Sequence, residues 1–202
     1  MRTAVTVFLD TANIYVGAQH SVPRQSFNAP LRLQFDALRA LAVAGRPCRD
    51  AVASATCTDR NGAALNAARR AGFRVFISEP GRYTGQEQHV DERLQLEMYR
   101  ATRMAPAHAV LLTGDGRDND GQDGFIPAVQ ALTDQGWTMD LLGWDASRSA
   151  RLNQAVLAAG GIVEALDRYW TAITYEQNGR NAQPLSLRHR RLPLALLGAS
   201  AA

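Results

Sequence analysis

Lysine is absent from this chain of 202 residues, so apart from four histidines all 22 basic side chains are arginine. Cysteine is nearly absent too. Cys48 and Cys57 are too few for a disulfide scaffold and have no histidine or cysteine neighbours at zinc spacing, so both are expected to be reduced thiols packed in strands. No apolar run approaches the length needed to cross a bilayer, and no membrane association is expected. The first apolar stretch, Ala4 to Leu9, is cut by Asp10 and is too short for a secretory signal, so a cytoplasmic location is expected.

What remains is an ordinary globular composition, 46% hydrophobic and 20% charged, in a chain long enough to bury the core of one domain. The net charge of +3 is unevenly spread. Residues 176–202 hold Arg180, Arg188, Arg190 and Arg191 against Glu176 alone, a surplus equal to the whole net charge. Arginine makes forked contacts to phosphate that lysine cannot. A compositional bias toward arginine accounts for the same fact without any ligand.

Strand-like and helix-like stretches alternate. Ala4–Leu9, Asp50–Thr56, Phe73–Ile77, Ala109–Leu112 and Thr138–Leu142 read as strands, with helices predicted over Leu33–Ala44, Asn61–Ala71, Val90–Thr102, Phe125–Gln135 and Ser149–Ala159. Ile162–Thr171 reads as a last helix. The order is repeated βα, which predicts an α/β fold with a doubly wound, mainly parallel sheet flanked by helices. One domain is expected over 1–175. Residues 176–202 then form an Arg-rich and finally apolar C-terminal tail, in which Arg188-His189-Arg190-Arg191 suits either a phosphate backbone or a solubilising role, and Leu192–Leu197 would pack on this subunit or, in a homodimer, on a second one.

Two strands run straight into a carboxylate: Phe8-Leu9-Asp10-Thr11-Ala12-Asn13 and Leu111-Leu112-Thr113-Gly114-Asp115-Gly116. If both lie in one parallel sheet, their C-terminal ends bring Asp10 and Asp115 into the crevice where such sheets bind ligands. Two carboxylates about 4 Å apart repel by roughly 4 kcal/mol at an effective dielectric of 20, so the pair would take up a proton or a hard cation. One or two Mg²⁺ or Mn²⁺ ions would activate water and stabilise charge on a phosphoryl group. Asn13, one helical turn beyond Asp10, presents a neutral amide that orients water or phosphate without adding repulsion.

These segments, with Val90-Asp91 opening a helix that carries Glu97, Phe125-Ile126-Pro127, Gln135-Gly136-Trp137 and Ser147-Arg148-Ser149, resemble the NYN domains (the LabA or DUF88 group) of the PIN-like nuclease superfamily over roughly residues 4–170. The resemblance implies a PIN-like fold and metal-dependent cleavage of RNA, carried by Asp10, Asn13, Asp91 and Asp115, with Asp10, Asp91 and Asp115 as metal ligands. Many relatives carry a second Asp two residues after the one matching Asp115. Here a longer Gly-rich acidic loop follows instead, in which Asp118, Asp120 or Asp123 could take that place. An EF-hand register in this loop fails, because Gly116 falls at the first ligand position. Glu97 suits either the site or a solvated helix face.

For substrate, Arg82 and Tyr83 in a Gly-punctuated loop offer phosphate binding and base stacking suited to single-stranded RNA, and a plain connecting loop fits equally. Arg148 and Arg151 would line the crevice rim. Two other functions fit the same acids. One is a non-catalytic RNA-binding module that kept the crevice. The other is a phosphatase with Asp10 as covalent nucleophile, of the haloacid-dehalogenase type, although Ala12 stands where such enzymes carry a second Asp.

Overall fold

The computed structural model describes residues 3–23, 29–56, 62–78, 90–115, 124–177 and 179–192, with backbone alone at 56, 90 and 91. Among these, six strands form one parallel sheet: β1 (Val5–Asp10), β3 (Cys48–Thr56), β4 (Arg74–Ser78), β5 (His108–Leu112), β6 (Thr138–Gly143) and β7 (Ile162–Ala165). The order across the sheet is β4-β3-β1-β5-β6-β7. After β1 the chain winds outward through β3 and β4, then returns to place β5 on the other side of β1. That reversal is the topological switch point of an open α/β sheet. It lies between the two strands that end in Asp10 and Thr113-Gly114-Asp115.

The strands are buried on both faces, so their sequences are apolar runs rather than alternations. Val5, Val7 and Leu9 pack with Ala51, Ala53, Val110 and Leu112 beneath α1 (Thr11–Ser21), α2 (Phe35–Val43) and α3 (Gly62–Arg70). Phe8, Val52, Ala109 and Leu111 pack beneath α4 (Val90–Ala101), α5 (Ile126–Asp134) and α6 (Ala150–Ala158). By the period of two along a strand, Thr6 and Asp10 share the face of Phe8, and Ser54 shares that of Val52. The last residue of β1, Asp10, pairs in register with Ser54.

The segment Ile162–Thr171, expected as a helix, is not one. Its first four residues are edge strand β7, followed by a 3₁₀ turn at Leu166–Tyr169 and the short α7 (Trp170–Ile173). Pairing with β6 overrides local helical preference there. A second small sheet joins β2 (Leu31–Leu33) antiparallel to β8 (Thr174–Glu176).

The chain beyond β8 folds back onto the domain. Arg180 donates to Pro23 O and stacks over the Trp170 ring with its guanidinium carbon 4.3 Å from the ring centroid. Arg190, read from sequence as a solvated or RNA-contacting charge, is instead buried: NH2 donates to Asp140 Oδ2 at 2.8 Å, NH1 to Glu164 Oε2 at 2.7 Å and Nε to Leu41 O at 3.3 Å. Arg191 continues the strap, donating from its backbone N to Glu164 and from NH2 to Val163 O. Residues 193–202 lie outside the described residues.

Candidate functional site

Three βα turns meet at the C-terminal rim of the sheet. The first is the β1–α1 junction, where Asp10 is the N-cap of α1: its Oδ1 accepts from Asn13 N at 3.0 Å. A short acceptor at this place satisfies a helix N–H that has no intrahelical partner. Its other oxygen, Oδ2, accepts from the Thr113 hydroxyl at 3.0 Å, linking the ends of β1 and β5. Thr113 Oγ1 in turn accepts from Asp115 N at 3.2 Å. One hydroxyl therefore joins the Asp10 carboxylate to the backbone of Asp115. Asp10 is 2% exposed, Thr113 is buried, and Asp115 is partly exposed at the mouth.

Asn13 closes the same junction from the other side. Its Oδ1 accepts from Gly114 N at 2.7 Å. Because a backbone N–H can only donate, this bond fixes which end of the amide is oxygen and leaves Nδ2 as the end able to donate elsewhere. The β5 turn is thus clamped to α1 through two residues of the first acidic segment.

The third turn, Trp144–Ser149, packs against both. Trp144 Nε1 donates to Ile14 O at 2.8 Å, and Ser149 N donates to Gly114 O at 2.7 Å. The approach is so close that a Cβ on Gly114 would stand 2.6 Å from Ser147 O, and one on Gly143 would stand 2.5 Å from Thr113 O and 2.7 Å from Arg148 Cγ. Arg148 is therefore a neighbour of Thr113. It pairs through NH2 with Asp145, while its buried Nε and NH1 carry no hydrogen-bond partner. These two donors lie enclosed and unused beside the crevice.

On the opposite side of Asp10, Ser54 is 1% exposed and its hydroxyl has no hydrogen-bond partner. Neither Thr113 nor Ser54 was singled out from the sequence. Thr113 was detectable as the polar residue between an apolar strand and Gly114-Asp115. Ser54 sits in Ala51-Val52-Ala53-Ser54-Ala55, where a serine reads as small-residue packing.

The remaining expected residues are placed as follows. Helix α4 begins at Val90 and packs over β1 and β3, with position 91 three residues before the buried Leu94; the Asp91 side chain lies outside the described residues. So do Arg82, Tyr83, Asp118, Asp120 and Asp123. Among the described residues, no three His, Cys, Asp or Glu side chains converge to hold a metal. Glu97 is held by arginines. Its carboxylate is 7% exposed and is gripped by Arg74 at 3.2 Å, Arg93 at 3.6 Å and Arg100, with Arg93 and Arg74 also lying over the Phe76 ring. It is not a solvated face but the hub of an ion-pair network along α4.

Comparison with known proteins adds the following. The NYN domain model matches residues 4–158. A crystal structure of a protein of unknown function from Vibrio parahaemolyticus superposes with a TM-score of 0.56 at 16% identity, covering 80% of this chain and 92% of that one; this likeness concerns the fold alone. No curated protein matches the chain.

Proposed function

Since the chain belongs to the NYN family, whose PIN-like domains are generally nucleases, we propose that it is a divalent-metal-dependent endoribonuclease that hydrolyses phosphodiester bonds of single-stranded RNA. The observation that carries this reading is the Asp10–Thr113–Asp115 linkage at the switch point of the sheet, flanked by the Asn13 amide and the unpaired donors of Arg148.

The side-chain oxygens these turns and the neighbouring strand carry are all hard: the Asp10 carboxylate and the Thr113 hydroxyl that meet, the Asp115 carboxylate at the mouth, and the Ser54 hydroxyl beside β1. That set fits Mg²⁺ or Mn²⁺ and not a soft metal. Asp10 and Asp115 would hold the ion, joined by Asp91 from the start of α4 and by one of Asp118, Asp120 or Asp123. When bound, such an ion lowers the pKa of water and neutralises charge on the phosphoryl oxygens. The chain's own groups do the positioning. Thr113 and the Asn13 N–H fix the Asp10 carboxylate in one rotamer before substrate arrives, which is the preorganisation that electrostatic catalysis needs. Asn13 Nδ2 donates to the attacking water or a phosphate oxygen, and Arg148 steadies the phosphate from the β6–α6 turn. Arg82 and Tyr83 would extend contact to flanking nucleotides.

The test is cleavage of a single-stranded RNA oligonucleotide with Mn²⁺ and with chelator, on the parent chain and Asp10→Asn. Asn keeps the helix cap, so folding survives while a charged ligand is lost. Cleavage that requires Mn²⁺ and falls by roughly 100-fold or more in the variant is expected. An Asp10→Asn protein that cuts as well as the parent overturns the assignment. RNA binding without cleavage would identify a non-catalytic module.

A further inference from the structure

We infer that Ser54 is a further polar group of the crevice, a positioning residue whose hydroxyl holds a water bound to the cation beside Asp10. The inference rests on the metal-dependent reading above.

Three facts lead to it. Ser54 is the register partner of Asp10 on the neighbouring strand, so both stand at the C-terminal rim of the sheet and on the face beneath α4. It is 1% exposed, yet its Oγ has no hydrogen-bond partner. Its neighbour two residues back on the same face of β3 is the apolar Val52, so β3 itself offers the hydroxyl no partner there. A buried hydroxyl without a partner is costly, and alanine would cost nothing at this place. Such a group is explained when a ligand supplies the missing partner. The row Ser54–Asp10–Thr113 runs across three adjacent strands, β3, β1 and β5. Thr113 braces one side of the Asp10 carboxylate directly; Ser54 braces the other through water. Groups that orient the ligands of a metal in this way tune its affinity without touching it.

Thr6 provides an internal control. It lies on the same face of β1, its Oγ1 is likewise buried and unpartnered, but it stands four residues below Asp10, about 13 Å along the strand. Thr6→Val and Ser54→Ala each remove one orphan hydroxyl, so each should raise the melting temperature by about 2–4 °C in a chain of this size.

The two variants part at the cation. Titration of Mn²⁺ followed by electron paramagnetic resonance should show affinity weakened roughly tenfold in Ser54→Ala and unchanged in Thr6→Val. With RNA, Ser54→Ala should lower kcat at fixed Mn²⁺ and leave the KM for RNA unchanged. If Ser54→Ala gains thermal stability but binds Mn²⁺ as the parent does, the hydroxyl is only a packing defect and the inference fails, while the nuclease reading stands. If the parent itself binds no Mn²⁺, or Asp10→Asn binds it equally well, the metal-dependent reading and this inference fail together.

Discussion

Arg190 allows the sharpest test of how the chain is held together. Its side chain is 1% exposed and faces Asp140 and Glu164, both fully buried, with guanidinium bonds of 2.8 and 2.7 Å. Glu164 also accepts from Tyr169 OH at 2.6 Å, and burial together with this carboxylate raises the Tyr169 pKa above its ordinary value. Burial alone would raise Asp140 as well. His108, 3.1 Å away though not aligned as a hydrogen bond, and Arg190 overcome that and hold Asp140 below the ordinary carboxylate range. Arg190→Ala therefore leaves two buried carboxylates short of their main countercharge. Breaking a buried pair of this kind costs about 3–5 kcal/mol, because the orphaned charge keeps its desolvation penalty. Against a total stability of roughly 5–15 kcal/mol, such a loss is severe, and the melting temperature should fall by about 6–20 °C.

The pH dependence gives the sign. In the parent, the lowered Asp140 pKa means the folded chain binds its proton less readily than the unfolded one, so this stability is present above the ordinary carboxylate range and lost as pH falls through it. In Arg190→Ala, the burial penalty on Asp140 is opposed by His108 alone, so the deficit is largest near neutral pH and shrinks on acidification as Asp140 protonates. Urea unfolding followed by tryptophan fluorescence between pH 3 and pH 8 measures both effects. A loss under about 1 kcal/mol that does not vary with pH, as for an exposed ion pair, would refute the burial argument. Replacing all three groups at once, Arg190→Met with Asp140→Asn and Glu164→Gln, should recover most of the loss, since no buried charge is then left unpaired.

Other substitutions separate scaffold from site. Glu97→Ala should cost about 1–2 kcal/mol, a figure reduced because its three arginines are half exposed, and should leave Mn²⁺ affinity unchanged; a tenfold loss of affinity in the same titration would return Glu97 to the site. Gly114→Ala forces a methyl group to within 2.6 Å of Ser147 O and should cost about 1–3 kcal/mol while displacing Asp115, so RNA cleavage should fall more than stability accounts for; a neutral variant would show that the two turns can part freely. Burial lowers the His108 pKa despite Asp140 beside it, with Arg46 and Arg190 adding to the effect and Thr138 bonded to Nδ1. The folded state then binds this proton less well than the unfolded chain, so stability contributed by neutral His108 declines below about pH 6.5. His108→Asn should flatten the urea-measured slope between pH 7 and pH 5, and an unchanged slope would assign the titration elsewhere.

The parts of this fold that can be read in the sequence are those encoded within a few residues. An apolar run struck by a carboxylate marks β1 and β5, and the alternation of periods gives the parallel sheet; their adjacency then follows from topology. Helix α1 escapes such reading because Ile14, Gly17 and Ala18 make a weak apolar stripe, so the Asp10 cap rather than a hydrophobic face marks its start. Strand β7 escapes because four residues ahead of a 3₁₀ turn and a helix offer too short a window to show a period of two.

Arginine and glutamate were the least legible side chains, for a reason that bears on the site itself. Whether Arg190 is solvent or core depends on Glu164, 26 positions away, and Asp140, 50 positions away, and no local window contains both. Glu97 is similar: two of its arginines lie within a helical turn, but Arg74 comes from β4 across the surface. In both cases the fold spends a carboxylate on holding guanidinium groups in place. Asp10 is used differently. It caps a helix and receives a hydroxyl from the adjoining strand, two bonds that orient its carboxylate, and they stand at the crevice the strand order creates. A carboxylate tied to arginines reports on architecture. On the proposed metal-dependent reading the Asp10 carboxylate, braced by a hydroxyl at the switch point, would hold the cation, so Thr113→Val, which removes the hydroxyl but keeps the shape, should weaken Mn²⁺ binding roughly tenfold in the resonance titration. Retention of parental affinity by that variant would show that the Asp10 carboxylate needs no such brace.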